Sequence, residues 1–442
     1  MSLERVQLGL TAAVAATCLV SIFAAQVLLT LAVMVYVARL ITRRARLERL
    51  PLDGPILAFS VWTLLSASFS RDPVIAHESA KKLVLFTLLY LAVDSLQKEG
   101  ARERVLDAAL LGGLVLGAGS LLQYHLLGFD TLERRPRSFL GHYMTASGLM
   151  MGALVLATAR LAFRRGTGAR PSSHDWRALG ALVGALAVLA VLQRTELFAV
   201  EGERLFVAAL AAAAAAMALS RRSWPTPATG TLLAALVVPV SAWALVLSRT
   251  RNAWLGALVG LAVVALLRAP RALVLVPAAV VAVLLLRPTT VTSRLTVTDA
   301  SSRDRYYMWQ AGIDMIRDRP VFGQGPGMIL SAYPGYRWPE APNPQTPHLH
   351  DNALQIAAER GLPCLVWWLW WVAAAMGDAY RESRRDAQGD VAWAAAAALA
   401  VLAAVMAAGL FEYNFGDSEI LMFTLFVPSL PYALRRQRQA EA

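Results

Sequence analysis

Apolar runs long enough to cross a bilayer recur along nearly the whole chain, separated mostly by short polar loops. A crossing helix needs about 20 mainly apolar residues. Stretches 229–248, 252–267 with 271–287, 391–411 and 417–434 supply such runs. The pattern predicts one all-α, polytopic integral membrane domain over 1–442, a bundle of about 12–14 transmembrane helices. Residues 7–42 read as two short spans or one long one, and two Ala-rich spans around 178–219 are weakly bounded. One polar stretch, 288–350, is far longer than the rest.

Composition agrees with the patterning. Hydrophobic residues make up 57% of the 442 positions and charged residues 16%, with mean hydropathy +0.50. A soluble domain of this size needs a more polar surface. The net charge of +12 does not indicate nucleic acid, because the basic residues fall in short loops between apolar runs rather than on one face. Cys18 and Cys364 lie in apolar segments and read as free, small hydrophobes. The N-terminus has a weakly basic start and no clear cleavage site, which predicts a retained first helix.

Charge bias orients the bundle. Loops 43–49, 98–104, 160–177, 221–222, 268–271 and 381–385, with the tail 435–438, are rich in arginine. They alternate with loops 70–78, 126–138, 194–203, 249–251, 288–350 and 412–418. The positive-inside rule makes the first set cytoplasmic and the second extracytoplasmic. The second set nevertheless holds Arg134, Arg135 and Arg137, Arg249 and Arg251, and Arg303 and Arg305. An arginine near the bilayer core costs at least about 2.5–3.5 kcal/mol, so it needs a partner or a task. Snorkelling to lipid phosphates is the plain alternative.

The long loop has three pieces. Ser301 or Ser302 caps a helix that Pro320 stops, with Tyr306, Trp309, Ile313 and Ile316 on one face. That helix lies in the membrane interface or packs on the bundle. Gly323-Gln324-Gly325-Pro326-Gly327 follows and reads as a tight turn, since no βαβ pattern supports a phosphate-binding loop. A Pro- and aromatic-rich run then ends at His348 and His350, where Asp351 or Asn352 starts a short helix terminated by Gly361 and Pro363. His350 thus sits at a helix N-terminus, whose positive dipole end disfavours imidazolium. A neutral imidazole is what a general base must be. Trp367, Trp368, Trp370 and Trp371 read as interfacial anchors. No Asp-x-Asp pair marks a metal site; Asp417-Ser418-Glu419 is expected to start a helix and pair with a buried arginine.

In the segments Ser248–Trp254, Arg305–Gly325, His350–Gly361 and Arg137–Gly148 the chain resembles the O-antigen ligase and polymerase superfamily, membrane glycosyltransferases of the GT-C type. Ser248-Arg249-Thr250-Arg251-Asn252-Ala253-Trp254 resembles the family's Ser/Thr-Arg-Gly-Ala segment, with Asn252 where Gly is usual. Arg305 with Trp309, then Pro320 and Gly323-Gln324-Gly325, is similar to its Arg-x-x-x-Trp and Pro-x-x-Gly-x-Gly run. His350 to Leu354, with Glu359 and Gly361, resembles its His-Asn-x-x-Leu…Glu-x-Gly element. There Asp351 replaces the common Asn, and Pro363-Cys364 stands where a second glycine is frequent. Arg137 with Gly141, His142, Thr145 and Gly148 resembles an earlier family segment.

The resemblance implies His350 as catalytic base and Arg251 and Arg305, with Arg249 and Arg303 beside them, as the donor-pyrophosphate site. His348, Arg137 and Asn352 are further candidates. It implies an undecaprenyl-pyrophosphate glycan as donor, a lipid A-core acceptor and membrane lipids as surroundings, at the periplasmic face of the bacterial inner membrane. Metal-independent, inverting transfer without a cofactor is expected. An O-antigen polymerase or a protein O-oligosaccharyltransferase shares this donor chemistry. A transporter of anionic lipid is the alternative from another class, disfavoured by the lack of an internal repeat.

Overall fold

The computed structural model describes residues 2–97, 99–163, 227–274, 300–385 and 392–441, which are helical without a strand. Among the described residues, six helices are long and apolar enough to cross a membrane: Ile22–Ile41, Gly100–Leu126, Tyr143–Phe163, Gly230–Leu247, Arg251–Arg268 and Asn352–Arg385. This is the expected polytopic helical membrane fold. Residues 7–42 form two helices, Leu3–Thr17 and Ile22–Ile41, the second capped by Ser21. The expected spans around 178–219 and at 275–287, the loops 164–177, 194–203 and 221–222, and residues 288–299 lie outside the described residues.

Lipid offers no hydrophobic drive between helices, so close backbone approach through small residues does the packing. The Ala-rich helix Ala392–Ala408 is almost wholly buried at the centre of the bundle. Arg251–Arg268 packs on it through Gly256 and Gly260. A Cβ at Gly256 would stand 2.6 Å from the Ala404 carbonyl oxygen, and one at Gly260 3.0 Å from Ala404 Cβ. The two helices meet where the start of one lies beside the end of the other. That places Arg251 near the loop that follows Ala408.

The described arginine-rich loops gather at one end of the bundle. Arg436 pairs with Glu48 at 2.7 Å, Arg160 with Glu103 at 2.9 Å, and Arg102 donates to Gln437 at 3.0 Å. The other end carries the long loop. Its first helix is Ala300–Asp318, ending before Pro320 as expected. The buried face differs from the expected one: Met308, Ala311 and Met315 point inward, onto Ile329, Tyr333 and Leu349, while Tyr306 is 54% exposed. Because the helix starts at Ala300, Ser302 lies in its first turn, and its hydroxyl accepts from Arg251 at 3.3 Å. The helix packs on the loop's own residues and on the start of Asn352–Arg385, where Gly312 closes on Leu354.

The glycine turn is structural. Its Gln324 and Gly325 N–H groups donate to the Ala358 and Glu359 carbonyls at 2.9 and 2.8 Å, and Gly327 N–H donates to Glu359 Oε1 at 3.0 Å. Those donors close the end of the short helix that follows His350. The helix breaks at Gly361, whose φ of 82° favours glycine and whose Cβ would stand 1.9 Å from Val321 O. Beyond the break, Trp368 and Trp371 are buried against Phe415, with ring centroids 5.7 and 5.9 Å away. They are core residues, a correction to their expected anchoring role; Trp370 is the exposed one.

Candidate active site

His350 stands just outside the helix that Asp351 caps by accepting from Leu354 N–H at 2.7 Å. Its φ is 53°, a left-handed conformation that a non-glycine residue rarely adopts. Strain of this kind persists where surrounding structure over-determines the residue. Leu349 is pinned on one side: its N–H donates to Gln355 Oε1 at 2.7 Å and its carbonyl accepts from Trp309 Nε1 at 3.1 Å. On the other side Asn352 N–H donates to Gly409 O at 2.8 Å. The left-handed step turns the imidazole toward the segment after Ala392–Ala408.

There it meets Glu412, which the sequence reading missed. His350 Nδ1 lies 2.9 Å from Glu412 Oε2, and the carboxylate is almost fully buried. Burial works to raise the Glu412 pKa, but the His350 hydrogen bond and the nearby His348 and Arg305 outweigh it, so the group sits below its ordinary value. An ionised carboxylate only accepts, so Nδ1 carries the hydrogen and Nε2 is the ring nitrogen without it. This is the base-plus-orienting-carboxylate arrangement of general-base catalysis.

His348 Nε2 approaches Glu412 Oε1 at 3.5 Å, and its ring centroid is 4.3 Å from that of His350. Burial first, then the neighbouring His350, push its pKa down to about 4, which keeps it neutral at pH 7. The two histidines and Glu412 have the composition of a metal site, with ligand atoms within 4.8 Å of one another. The 2.9 Å His350–Glu412 contact is a direct hydrogen bond, and the Arg305 guanidinium lies 3.9 Å from the same carboxylate. The contact length alone does not discriminate, since two ligands of one ion stand about 3 Å apart; the guanidinium favours the dyad, because it already places a positive charge beside the carboxylate.

Beside the dyad is a cavity of about 480 Å³ lined by Arg251, Ser302, Arg305, Tyr306, Trp309 and Phe411, among others. Arg251 is the first residue of Arg251–Arg268, so its charge adds to the positive end of a helix dipole. Arg305 bridges the cavity to the dyad through Glu412. The wall therefore joins two guanidiniums to aromatic surface, which suits a pyrophosphate carrying an apolar chain.

The remaining candidates divide. Arg249, at φ 53°, precedes the Arg251 helix with its Nε buried, and Arg303 is exposed on the Ala300–Asp318 helix; neither lines the cavity. Arg137 donates to the Gly141 carbonyl at 2.8 Å. His142 lies in a loop, within electrostatic reach of Glu412 and His350. Asn352 has its side-chain amide engaged by the protein, donating to Asn414 Oδ1 at 2.7 Å and accepting from Phe415 N–H at 3.0 Å. It braces the Glu412 segment against the His350 helix.

Asp417 starts the last helix as expected but accepts from Thr145 Oγ1 at 2.8 Å, not from an arginine. Burial pushes its pKa up to about 7, against the Thr145 bond. Two carboxyls five positions apart are thus driven in opposite directions by their surroundings. The folded protein holds the Asp417 proton more tightly than the unfolded chain. This contribution to stability is present below the ordinary carboxyl pKa of about 4 and is lost as pH rises through about 7. Asp417→Asn should flatten that slope, read as thermal midpoints at pH 5 and pH 8 against the parent protein. An unchanged slope would discard the assignment.

Residues 234–369 match the family model described as O-antigen ligase. That stretch includes Arg249, Arg251, Arg303, Arg305, His348, His350 and Asn352, while Glu412 and Arg137 lie outside it. No curated protein matches the chain.

Proposed function

We propose, from the premise that this chain is an O-antigen ligase family member through residues 234–369, that it transfers glycan from undecaprenyl pyrophosphate to a lipid A-core hydroxyl. The observation that carries this reading is the 2.9 Å His350–Glu412 dyad beside a cavity lined by Arg251 and Arg305. His350 Nε2 takes the proton of the acceptor hydroxyl while its Nδ1–H is held by Glu412. The acceptor oxygen forms a bond to the anomeric carbon as the bond to the pyrophosphate oxygen breaks. The lipid pyrophosphate leaves with the electron pair, and the two guanidiniums compensate its charge. Attack opposite the leaving group inverts the anomeric carbon. The step needs no metal, because the leaving group is already activated and the arginines supply the positive charge.

The site is assigned to the periplasmic face of the inner membrane, since the dyad lies at the end of the bundle away from the arginine-rich loops. The whole chain acts as one membrane domain, with 288–350 as the loop that carries part of the site. Purified protein in lipid vesicles, given undecaprenyl-pyrophosphate glycan with and without lipid A-core, tests the assignment. Glycan on lipid A-core supports a ligase. Longer lipid-linked glycan without that acceptor would make it a polymerase, and no transfer in either tube would reopen the transporter reading or point to a protein acceptor.

Arg251→Ala and Arg305→Ala should each cut transfer efficiency about 10- to 100-fold, the range for one charged hydrogen bond. Lysine at either position should recover only part, because a point charge does not reproduce the two-pronged contact. Full recovery by lysine, measured as kcat/KM for the donor, would reduce the role to simple charge.

A further inference from the structure

At the arginine-rich end of the bundle, opposite the dyad, lies a cavity of about 1130 Å³ lined by six arginines and three carboxylates. It opens between the start of Leu3–Thr17, the turn after Ile22–Ile41, the start of Glu99–Leu126 and the last turn of Ser418–Glu441. Part of its lining is a closed polar network. Arg39 pairs with Asp94 and donates to Gln7 Oε1 at 2.6 Å, and Gln7 Nε2 donates to Asp94 at 2.8 Å and to Ser95 Oγ at 2.9 Å. A second lining carboxylate, Glu48, is taken by Arg436 at 2.7 Å.

The remaining charge is different in kind. Arg43 has φ 54°, and this left-handed step brings the Arg44 and Ala45 N–H groups back onto the Arg39 carbonyl at 2.8 and 3.1 Å. Residues 43–46 thereby fold over the helix end along the cavity wall. The Arg5, Arg43, Arg44 and Arg46 side chains are exposed and have no ion-pair partner among the described residues. Guanidiniums without an ion-pair partner around a polar-lined cavity are suited to a phosphate.

The same helix supplies an apolar track to the rim. Phe23, Val27, Leu31, Met34, Val37 and Ile41 are all exposed, three or four positions apart on Ile22–Ile41. That stripe ends one residue before Thr42, at the mouth of the arginine turn. We propose that this cavity binds an anionic phospholipid, its headgroup phosphate among the Arg5 and Arg43–Arg46 guanidiniums and its acyl chains along the stripe. Basic pockets between transmembrane helices recognise such headgroups. Phosphate is the shared chemistry of lipid and free anion; the adjoining stripe selects the lipid. The proposal stands apart from the glycan-transfer reading and from its residues.

The full-length protein in detergent is equilibrated with phosphatidylglycerol, phosphatidylcholine or inorganic phosphate, and retained adducts are counted by native mass spectrometry. Phosphatidylglycerol should be retained more tightly than phosphatidylcholine. In a variant carrying Arg43→Gln, Arg44→Gln and Arg46→Gln that preference should drop on the order of 100-fold, since each arginine contributes about a factor of five. Lysine at the three positions, which keeps the charge, should restore most of it and excludes misfolding as the cause. Equal retention of both lipids, or a preference unchanged in the glutamine variant, would overturn the site. Inorganic phosphate displacing phosphatidylglycerol at equal concentration would overturn the lipid assignment in favour of a free anion.

Discussion

His350→Asn should abolish glycan transfer, lowering turnover about 10²- to 10⁴-fold, the range contributed by a positioned general base. Asparagine is the informative replacement because it tolerates left-handed backbone better than alanine does, and His350 holds φ 53°. Alanine there would add strain to the loss of the imidazole, and the two effects would be confounded. His350→Gly relieves the same strain and leaves a ring-sized space beside Glu412. Imidazole added to that variant should restore measurable transfer if the ring acts as a base. Donor retention by either variant should stay near the parent level, since Arg251 and Arg305 are untouched. Turnover within a few-fold of the parent in His350→Asn would eliminate the base role, and failure of imidazole to rescue His350→Gly would weaken it.

The sequence made the His350 half of this site legible and hid the other half for a physical reason. Asp351 and Gly361 bracket a short helix by ordinary capping and φ rules, so the placement of His350 at its start followed from local signals, and the structure has it there. Arg251 at a helix start and Arg305 in the long loop were visible as expensive charges in an apolar chain. Glu412 lies 62 positions from His350, and long-range packing brings its segment to the site, with Asn352 bonded to Gly409, Asn414 and Phe415 on either side of it. A signal did exist: Phe411-Glu412-Tyr413 puts an acid directly after an apolar run, the kind of position where a charge needs a partner. The buried face of Ala300–Asp318 was misjudged for a related reason. Aromatic residues look like core in a helical pattern, yet Tyr306 lines the cavity while Met308, Ala311 and Met315 fill the loop's own small core. Trp368 and Trp371 show the converse, because their burial depends on Phe415 arriving from the segment beyond Glu412.

Glu412→Gln should cost nearly as much turnover as loss of His350, between about 10²- and 10⁴-fold, as removal of an orienting carboxylate does in a hydrolytic triad. The amide has the size of the carboxyl but can present either its N–H₂ or its oxygen to Nδ1, so the ring loses its fixed tautomer. It also removes the negative charge 3.9 Å from Arg305. That arginine then has more of its field available for pyrophosphate, so donor affinity should hold or tighten while kcat falls. A merely structural Glu412 would lower both together. The two residues are expected to act as a unit, so the His350→Asn, Glu412→Gln double variant should be little worse than His350→Asn alone. Costs that multiply across the two positions would mean that Glu412 acts independently of the imidazole, and the dyad assignment would fall. Because the hydrogen bond and the nearby positive groups hold the Glu412 pKa below its ordinary value, its stabilising charge is present above the usual carboxylate range and lost as pH falls through the folded value. The glutamine variant should therefore lose less stability than the parent on acidification, a comparison that thermal unfolding at neutral and acid pH makes directly.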